Sequence, residues 1–384
     1  MTAKKFPAPI VYGLDIGTRS VVGTVGYAQG KKFTVVAMEA VEHETRAMMD
    51  GQIHDIALVA DTISRVTASL EKKLKLKLDK VCIAAAGRVL KTASSHSDYN
   101  FDSERIVTGE DIYTLNSMAV EDAYKKFLEE NNNDVKFYCV GSNPIRYYLN
   151  NSVITNLAEH KATSIGMDII ATFLPDDVVD SLYRAVNMAG LEVASLTLEP
   201  IAAINLAIPE KFRLLNIALV DVGAGTTDIS VTREGSVVAF GMIPKAGDRI
   251  TERIANICMA DFNTAEIIKK EISNSDKVKY TDIMGTELSV SSKEIEEGVK
   301  EVVDELASVA ADKIIEINGG KPVGAVFVVG GGGIYKGYTH ILAERLGLPE
   351  SRVSLVWLPV NLVPNLLAEA AMFHLLVSFF PPGP

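Results

Sequence analysis

The sequence predicts an α/β fold built from two similar halves, with a small α+β module inserted into the first half. Strand-like and helix-like segments alternate along most of the 384 residues, a pattern typical of a buried sheet covered by helices. Two segments with the same layout, YGLDIGT at 12–18 and LVDVGAGTT at 219–227, also open the two halves. The length allows two or three domains of about 150 residues each.

The first half is expected to begin with strands. Residues 11–41 are apolar and β-branched around a turn at 29–31, which is typical of consecutive strands. Apolar residues at helical spacing then predict a helix at 56–74, and a short buried strand follows at 80–88.

The composition changes over residues 88–165, where Ser, Asp and Asn become frequent. One helix is predicted at 108–130, between strand-like pieces such as 136–140 and 145–149. We therefore expect a small α+β module inserted into a larger α/β fold.

The α/β pattern resumes after the module and continues to the end of the second half. Residues 248–322 are predicted to be largely helical, with a long helix at 292–318. The other predicted elements are a strand at 167–174, a helix at 176–190, a strand beginning at 196, a helix beginning at 200, a strand at 325–333 and a helix at 335–346.

Composition narrows the functional classes. The 38 Lys and Arg residues against 49 Asp and Glu residues give a net charge of −11, which disfavours nucleic acid as a partner because such proteins need a basic face. The three cysteines form no Cys-x-x-Cys pair, which disfavours a zinc ribbon and fits a reducing compartment. The expectation is a cytoplasmic protein without a secretory leader or membrane-spanning helix.

The two matching segments predict phosphate binding. Glycine allows the backbone to approach a phosphate closely and to point successive N–H groups at it, and the threonine hydroxyls add donors. Asp15 and Asp221 follow buried strands and suit a Mg²⁺ ion held through water, because Mg²⁺ prefers carboxylates, retained waters and phosphate oxygens. A third glycine run, Gly330–Gly333, is expected to end a strand, start a helix and approach an adenosine. Neither a P-loop nor a Rossmann fingerprint is present.

These motifs resemble the actin-like ATPase superfamily. They are Asp15-Ile16-Gly17-Thr18, the run Asp221-Val222-Gly223-Ala224-Gly225-Thr226-Thr227-Asp228, and Gly330–Gly333. Within the superfamily the chain is most similar to the FtsA family of bacterial cell-division actins. That similarity rests on Gly51-Gln52-Ile53, on Ile83–Gly87 before the module, on Ile106–Asp111 inside it and on Ile243–Thr251 after the second turn.

The resemblance implies an actin-like duplicated fold around a nucleotide cleft, with an FtsA-type inserted subdomain. It also implies ATP and Mg²⁺ as cofactors, at most slow Mg-dependent hydrolysis, head-to-tail filaments, an FtsZ-like tubulin homologue as partner, and the inner face of the membrane as a peripheral location. The implied division is 9–87 (subdomain 1A), 88–165 (inserted 1C), 166–213 (1A), 214–250 (2A), 251–322 (2B), 323–357 (2A) and 358–384 (C-terminal helix of 1A and tail).

The resemblance also assigns roles to single residues. Asp15 and Asp221 would hold the Mg²⁺ shell through water, and Glu199 would orient the attacking water, so these three form the catalytic set. The residues implied to bind the nucleotide are Gly17, Thr18, Arg19, Gly223, Ala224, Gly225, Thr226, Thr227, Gly247, Glu266, Lys269, Gly331, Gly332 and Gly333.

The chain departs from the FtsA pattern at three places. Ala224 stands where a glycine triplet is common, and Lys245-Ala246 stands where the family more often has a small residue and glycine. The sequence ends in Phe379-Phe380-Pro381-Pro382-Gly383-Pro384, without a basic amphipathic helix after a linker. A membrane contact would then use a segment absent here.

Other functions on the same fold remain open at this point. One is an FtsA-related scaffold, such as an ATP-binding protein of pilus assembly. A small-molecule kinase would need a substrate base and pocket, and no polar cluster identifies them. A chaperone ATPase would need a β-rich substrate domain after residue 384.

Overall fold

The computed structural model describes residues 6–29, 32–44, 46–85, 90–131 and 135–356. The predicted turn at 29–31, the module boundary at 88 and the predicted C-terminal helix of 358–384 lie wholly or partly outside these residues.

The first elements of the chain form most of one sheet and its main helix. Helix α1 begins after Asp55, whose side chain accepts a hydrogen bond from the Leu58 N–H and so caps the helix. Its buried residues recur at helical spacing, as the sequence predicts. These elements are β1 (Ile10–Ile16), β2 (Ser20–Gln29), β3 (Lys32–Glu42), β4 (Met48–Met49), β5 (Gln52–Ile53), α1 (Ile56–Leu74) and β6 (Lys80–Ala85).

The inserted module is an antiparallel four-stranded sheet with one helix packed against it. Helix α2 is stabilised by a capping box between Thr108 and Asp111. The elements are β7 (Lys91–Ile106), α2 (Gly109–Glu130), β8 (Phe137–Leu149), β9 (Ser152–Ile154) and β10 (Lys161–Pro175), and the strand order is β7-β10-β8-β9. The α+β character predicted for this region is confirmed.

The chain then returns to the first sheet through α3 (Asp176–Met188), β11 (Glu192–Leu198) and α4 (Glu199–Ala207). The completed sheet has the order β11-β6-β1-β2-β3. Strand β1 lies at its centre, antiparallel to β2 and parallel to β6.

The second half repeats this plan. Its sheet has the order β14-β13-β12-β17-β18, and β12 at the centre is antiparallel to β13 and parallel to β17. Its elements are β12 (Ile217–Val222), β13 (Thr227–Arg233), β14 (Ser236–Ile243), α5 (Gly247–Cys258), α6 (Phe262–Glu271), β15 (Lys277–Thr281), β16 (Glu287–Ser291), α7 (Ser292–Ile317), β17 (Ala325–Val329), α8 (Tyr338–Leu346) and β18 (Val353–Leu355).

The two sheets therefore have the same topology, which confirms the predicted duplication. In both, the central strand leads through a tight turn into an antiparallel neighbour. The halves also share a core, in which Leu14 of β1 and Leu219 of β12 are both fully buried. Among the described residues, no helix is long and apolar enough to cross a membrane.

The structure differs from the predictions at three local places. Residues 277–291 form the β15–β16 hairpin instead of helix, because apolar residues alternate on both sides of a turn that contains Gly285. Strand β8 runs without interruption through Pro144, where its pairing with β10 shifts register. Helix α8 begins only at Tyr338, so no helix starts at the third glycine run.

Candidate functional site

The two glycine turns meet between the halves of the fold. The first turn joins β1 to β2 and is closed by a hydrogen bond from the Gly17 N–H to the Ser20 carbonyl, at 3.1 Å. The second joins β12 to β13 and is closed by the Gly223 N–H and the Thr226 carbonyl, at 2.9 Å. A Cβ atom at Gly225 would lie only 2.8 Å from Thr18 Oγ1. The turns are thus in direct contact.

Four carboxyl groups converge beneath these turns. Asp15 is the next-to-last residue of β1, and Asp221 holds the same place in β12. Asp228 on β13 lies directly opposite Asp221. Glu199 is the first residue of α4, and its interaction with Asp15 is a side-chain hydrogen bond. Asp15 and Asp228 are buried.

The electrostatics of this cluster favour protonation. Burial, followed by the neighbouring Asp221 carboxyl, raises the pKa of Asp15 to about 7 and that of Asp228 to about 7. Burial raises the pKa of Asp221 to about 6. Burial and the nearby aspartates also raise the pKa of Glu199 well above its usual range. A bound cation would reverse these shifts, because it favours the charged form of every carboxyl around it.

The cluster also contains unpaired oxygens. Glu199 Oε1 and Asp228 Oδ1 are buried without a hydrogen-bond partner, which is unusual because buried polar atoms are nearly always paired. No three His, Cys, Asp or Glu side chains of the described ranges are placed to ligate an ion directly. These observations fit Mg²⁺ held through water, since Mg²⁺ usually keeps several of its waters.

The first two residues of α5 hold the second turn through backbone hydrogen bonds. The Gly247 N–H donates to the Gly223 carbonyl at 3.1 Å, and the Asp248 N–H donates to the Ala224 carbonyl at 2.8 Å. The amide and carbonyl of a trans peptide point in opposite directions. The N–H groups of Ala224 and Gly225 therefore point away from α5.

The third glycine run packs against the second turn. The Gly332 N–H donates to the Val222 carbonyl at 2.8 Å. Gly330 has a φ of +85°, and a Cβ there would lie 2.4 Å from Asp221 Oδ1, so only glycine fits. A Cβ at Gly333 would lie 2.5 Å from Val328 Cγ1, whereas one at Gly331 would meet no atom within 4 Å. Gly331 therefore borders open space, and Gly333 serves packing.

The two threonines of the second turn differ in what they contact. Thr226 Oγ1 donates to Asp228 Oδ2 at 3.3 Å, so this hydroxyl belongs to the carboxyl cluster. Thr227 Oγ1 donates to the Lys245 carbonyl at 2.8 Å and is buried. In this arrangement the Thr227 hydroxyl joins β13 to the segment before α5.

Glu266 and Lys269, expected at the ribose and base, lie side by side on α6. Lys269 Nζ is 2.7 Å from Glu266 Oε2 and also donates to the Gly247 carbonyl, at 3.2 Å. Burial raises the pKa of Glu266, but the Lys269 charge and hydrogen bond outweigh it and leave a net decrease. Burial also lowers the pKa of Lys269, although the Glu266 carboxylate opposes that shift.

Arg19 spans the cleft. Its guanidinium pairs with Glu266 and with Asp248, so a side chain of the first turn reaches two acidic residues of the second half. The resemblance implied only that Arg19 binds the nucleotide and gave no role to this ion pair. At the rim, Arg46 pairs with Glu252 at 3.1 Å and lies 4.7 Å from the centre of the Phe262 ring.

Comparisons with known proteins match this architecture. Residues 218–364 match the family described as cell division protein FtsA. The cell division protein FtsA of Pseudomonas aeruginosa is 24% identical over 271 residues, which cover 68% of this chain and 60% of that protein. The chain is therefore similar to cell division protein FtsA over part of its length. The match thus spans less than two thirds of that curated relative's length.

Solved structures show the same fold. The structure of a PilM–PilN type IV pilus biogenesis complex aligns with a TM-score of 0.63 at 17% identity, covering 95% of this chain and 96% of that one. MreB5 of Spiroplasma citri bound to ADP aligns with a TM-score of 0.56 at 15% identity, covering 97% and 99%. The predicted actin-like duplicated fold is therefore confirmed.

Asp228 was not predicted to belong to the site, although it ends the second glycine motif. The spacing of Asp221 and Asp228 around the turn could have identified Asp228. Residues 221 and 228 stand at equal distances from the centre of a turn at 223–226. Residues placed symmetrically about a hairpin turn face each other across the two strands.

Proposed function

We propose that the cleft between the two halves binds ATP with Mg²⁺. The observation that carries this proposal is the convergence of four carboxyl groups beneath two facing glycine turns. The phosphates would lie between the turns, near the amides of Thr18, Arg19, Ala224 and Gly225. The Gly17 N–H would not contribute, because it donates to Ser20.

The magnesium shell would be formed by Asp15, Asp221 and Asp228 through water. The unpaired Oδ1 of Asp228 supports this assignment. Mg²⁺ would neutralise phosphate charge and keep these carboxyls ionised. Glu199, with its own unpaired oxygen and raised pKa, is suited to hold a water near the terminal phosphate. Hydrolysis would be slow at most.

The adenosine would lie between α6 and the third glycine run, near Glu266, Lys269 and the open space beside Gly331. Gly247 and Gly332 support this wall of the cleft through the second turn. The Arg19 guanidinium pairs with the Glu266 carboxylate. A ribose hydroxyl that binds Glu266 must therefore replace a contact that this carboxylate already makes.

At the level of biology, we propose a cytoplasmic, nucleotide-dependent cytoskeletal protein that acts in cell division. The FtsA family match and the actin-like fold support this role. Its partners would be other copies of the chain in a head-to-tail filament, an FtsZ-like tubulin homologue and, peripherally, the inner face of the membrane. Head-to-tail contacts that do not close into a ring produce open filaments.

Sedimentation and negative-stain microscopy test this proposal with MgATP, with MgADP and without nucleotide. We expect polymer that depends on nucleotide in the parent chain and less polymer in Asp221→Asn. Bound ATP without polymer in any condition would contradict the filament role and leave the nucleotide site standing.

A further inference from the structure

His43 lies directly behind the first glycine turn. This half-buried residue follows β3. Its ring Nε2 is 3.2 Å from the Gly17 carbonyl oxygen, and its backbone N–H donates to the Arg19 carbonyl at 3.0 Å. Its ring Nδ1 is 3.1 Å from Thr62 Oγ1 on α1. One residue thus joins two carbonyls of the turn to the main helix of the first half.

These contacts decide where the amides of the turn point. The Gly17 carbonyl accepts from His43, so the N–H of the same peptide unit, that of Thr18, points the opposite way. The Thr18 side chain contacts Gly225 of the second turn, which places Thr18 at the boundary between the halves. His43 therefore holds the Thr18 amide away from α1.

The second turn is held in the same manner by a different group. There the carbonyls of Gly223 and Ala224 accept from the first backbone amides of α5. In the first half, the ring of His43 contacts the Gly17 carbonyl, which corresponds to that of Gly223, and the backbone N–H of His43 donates to the Arg19 carbonyl, which corresponds to that of Gly225. At the first of these carbonyls, the histidine ring thus takes the place that an amide of the α5 N-terminus has in the second half.

We propose that His43 is a positioning residue for phosphate binding: it fixes the first glycine turn so that the Thr18 amide faces the phosphates. The inference rests on the proposed nucleotide site and adds a residue that makes no contact with nucleotide itself. Its action is to preorganise a donor, which reduces the cost of ordering the turn on binding.

The hydrogen-bond partners of the ring place a proton on Nε2. The Gly17 carbonyl only accepts, so Nε2 must carry a proton. The Thr62 hydroxyl has two acceptors within reach, Nδ1 of His43 and the Leu58 carbonyl at 3.0 Å. A neutral ring protonated at Nε2 is satisfied when Thr62 donates to Nδ1 instead of to the Leu58 carbonyl. Burial lowers the pKa of His43, which favours this neutral form.

Three variants separate positioning from general stability. His43→Leu removes both ring contacts. His43→Gln keeps a side-chain N–H at about the distance of Nε2, whereas His43→Asn places its donor near Nδ1 only. His54→Leu serves as the matched control, because His54 is an exposed histidine that also lies between β3 and α1. The affinities of MgATP and of adenosine are measured for each, together with thermal unfolding without nucleotide.

We expect His43→Leu and His43→Asn to bind MgATP about tenfold more weakly, the change typical of one lost hydrogen bond. Adenosine affinity should stay within about twofold of the parent, and His43→Gln should recover most of the MgATP affinity. Equal MgATP affinity in parent and His43→Leu would overturn the inference, as would parallel losses for MgATP and adenosine. If the parent itself does not bind MgATP, the proposed function fails instead.

A measurement without nucleotide tests the underlying contact. Nitrogen-15 spectra of histidine-labelled protein report which ring nitrogen carries the proton. We expect the neutral ring with a proton on Nε2, and Thr62→Val should perturb the Nδ1 signal. A neutral ring protonated on Nδ1 would contradict the hydrogen bond to Gly17 and with it the positioning role.

Discussion

Asp221 and Asp228 face each other directly across β12 and β13, at the strand ends that bound the second glycine turn. Two carboxyls at opposed positions of an antiparallel pair repel each other when both are charged. Thr226 donates one hydrogen bond to Asp228, and the second oxygen of Asp228 has no partner. The arrangement is unfavourable for the protein alone and becomes favourable when a cation lies nearby.

The first prediction concerns Asp228→Asn. Removing one charge relieves repulsion, so the variant should unfold at a higher temperature than the parent at pH 8 without Mg²⁺. The same change should weaken Mg-dependent ATP binding by about 10–100-fold, the usual effect of losing a metal-supporting group. Thermal unfolding and titration calorimetry measure the two effects.

Asp312→Asn is the control for that experiment, because Asp312 is exposed on α7. It should change neither quantity. A variant of Asp228 that lost stability at pH 8 and kept its ATP affinity would show that this carboxyl has a structural role only.

The second prediction concerns pH. Asp15 and Asp228 have folded-state pKa values of about 7, against ordinary values of 3.8. Between these values the folded chain binds protons that the unfolded chain does not, so the free energy of unfolding falls as pH rises. The loss between pH 5 and pH 8 should be on the order of 5 kcal/mol for the two groups together, since each contributes about two pKa units and one unit corresponds to about 1.4 kcal/mol.

Denaturant unfolding at several pH values, with and without MgATP, measures this dependence. MgATP should flatten it, because a bound cation keeps the carboxyls ionised. The difference between the parent and Asp228→Asn isolates the cluster from other titrating groups. If the free energy of unfolding of the parent rose relative to that of Asp228→Asn between pH 5 and pH 8, the proposed protonation would be excluded.

The third prediction concerns the contact between the turns. Gly225→Ala would place a methyl group 2.8 Å from Thr18 Oγ1 and 3.0 Å from Asp50 Cα. The turns must then separate, at a cost of about 1–3 kcal/mol in the free energy of unfolding. Gly109→Ala is the matched control, because a Cβ there meets no atom within 4 Å. Equal stabilities of the two variants would argue against close contact.

The fourth prediction concerns the ion pairs across the cleft. Arg19 and Asp248 are largely buried, with 22% and 14% of their side-chain surfaces exposed. A double-mutant cycle with Arg19→Met and Asp248→Asn should give a coupling energy of about 1 kcal/mol or more without nucleotide. The coupling should shrink in saturating MgATP if the nucleotide separates the two groups. An unchanged coupling would show that Arg19 keeps its partners in the bound state.

Much of the fold can be predicted from local patterns in the sequence. The duplication can be recognised because Asp15 and Asp221 precede similar glycine turns. Helices α1 and α7 can be predicted because their apolar residues recur at helical spacing. The β15–β16 hairpin was missed because its strands are only five residues each and lie in a charged stretch between helices. Short alternating runs are ambiguous until a partner strand is known.

The site was less accessible to sequence analysis than the fold. The turns and their aspartates were identified from motifs, but their contact depends on how two distant segments pack. The pairing of Arg19 with Glu266 joins residues 247 positions apart in the chain (266 − 19 = 247). Nothing local to either residue indicates such a pair, and the same holds for His43 behind Gly17.

Titration calorimetry of ATP, in Mg²⁺ and again in EDTA, tests the central claim most directly. The account predicts one site per chain, bound at least about tenfold more tightly with Mg²⁺, and loss of this dependence in a variant carrying both Asp15→Asn and Asp221→Asn. ATP binding of equal strength with and without Mg²⁺, or unchanged Mg²⁺ dependence in that variant, would contradict the magnesium-nucleotide cleft.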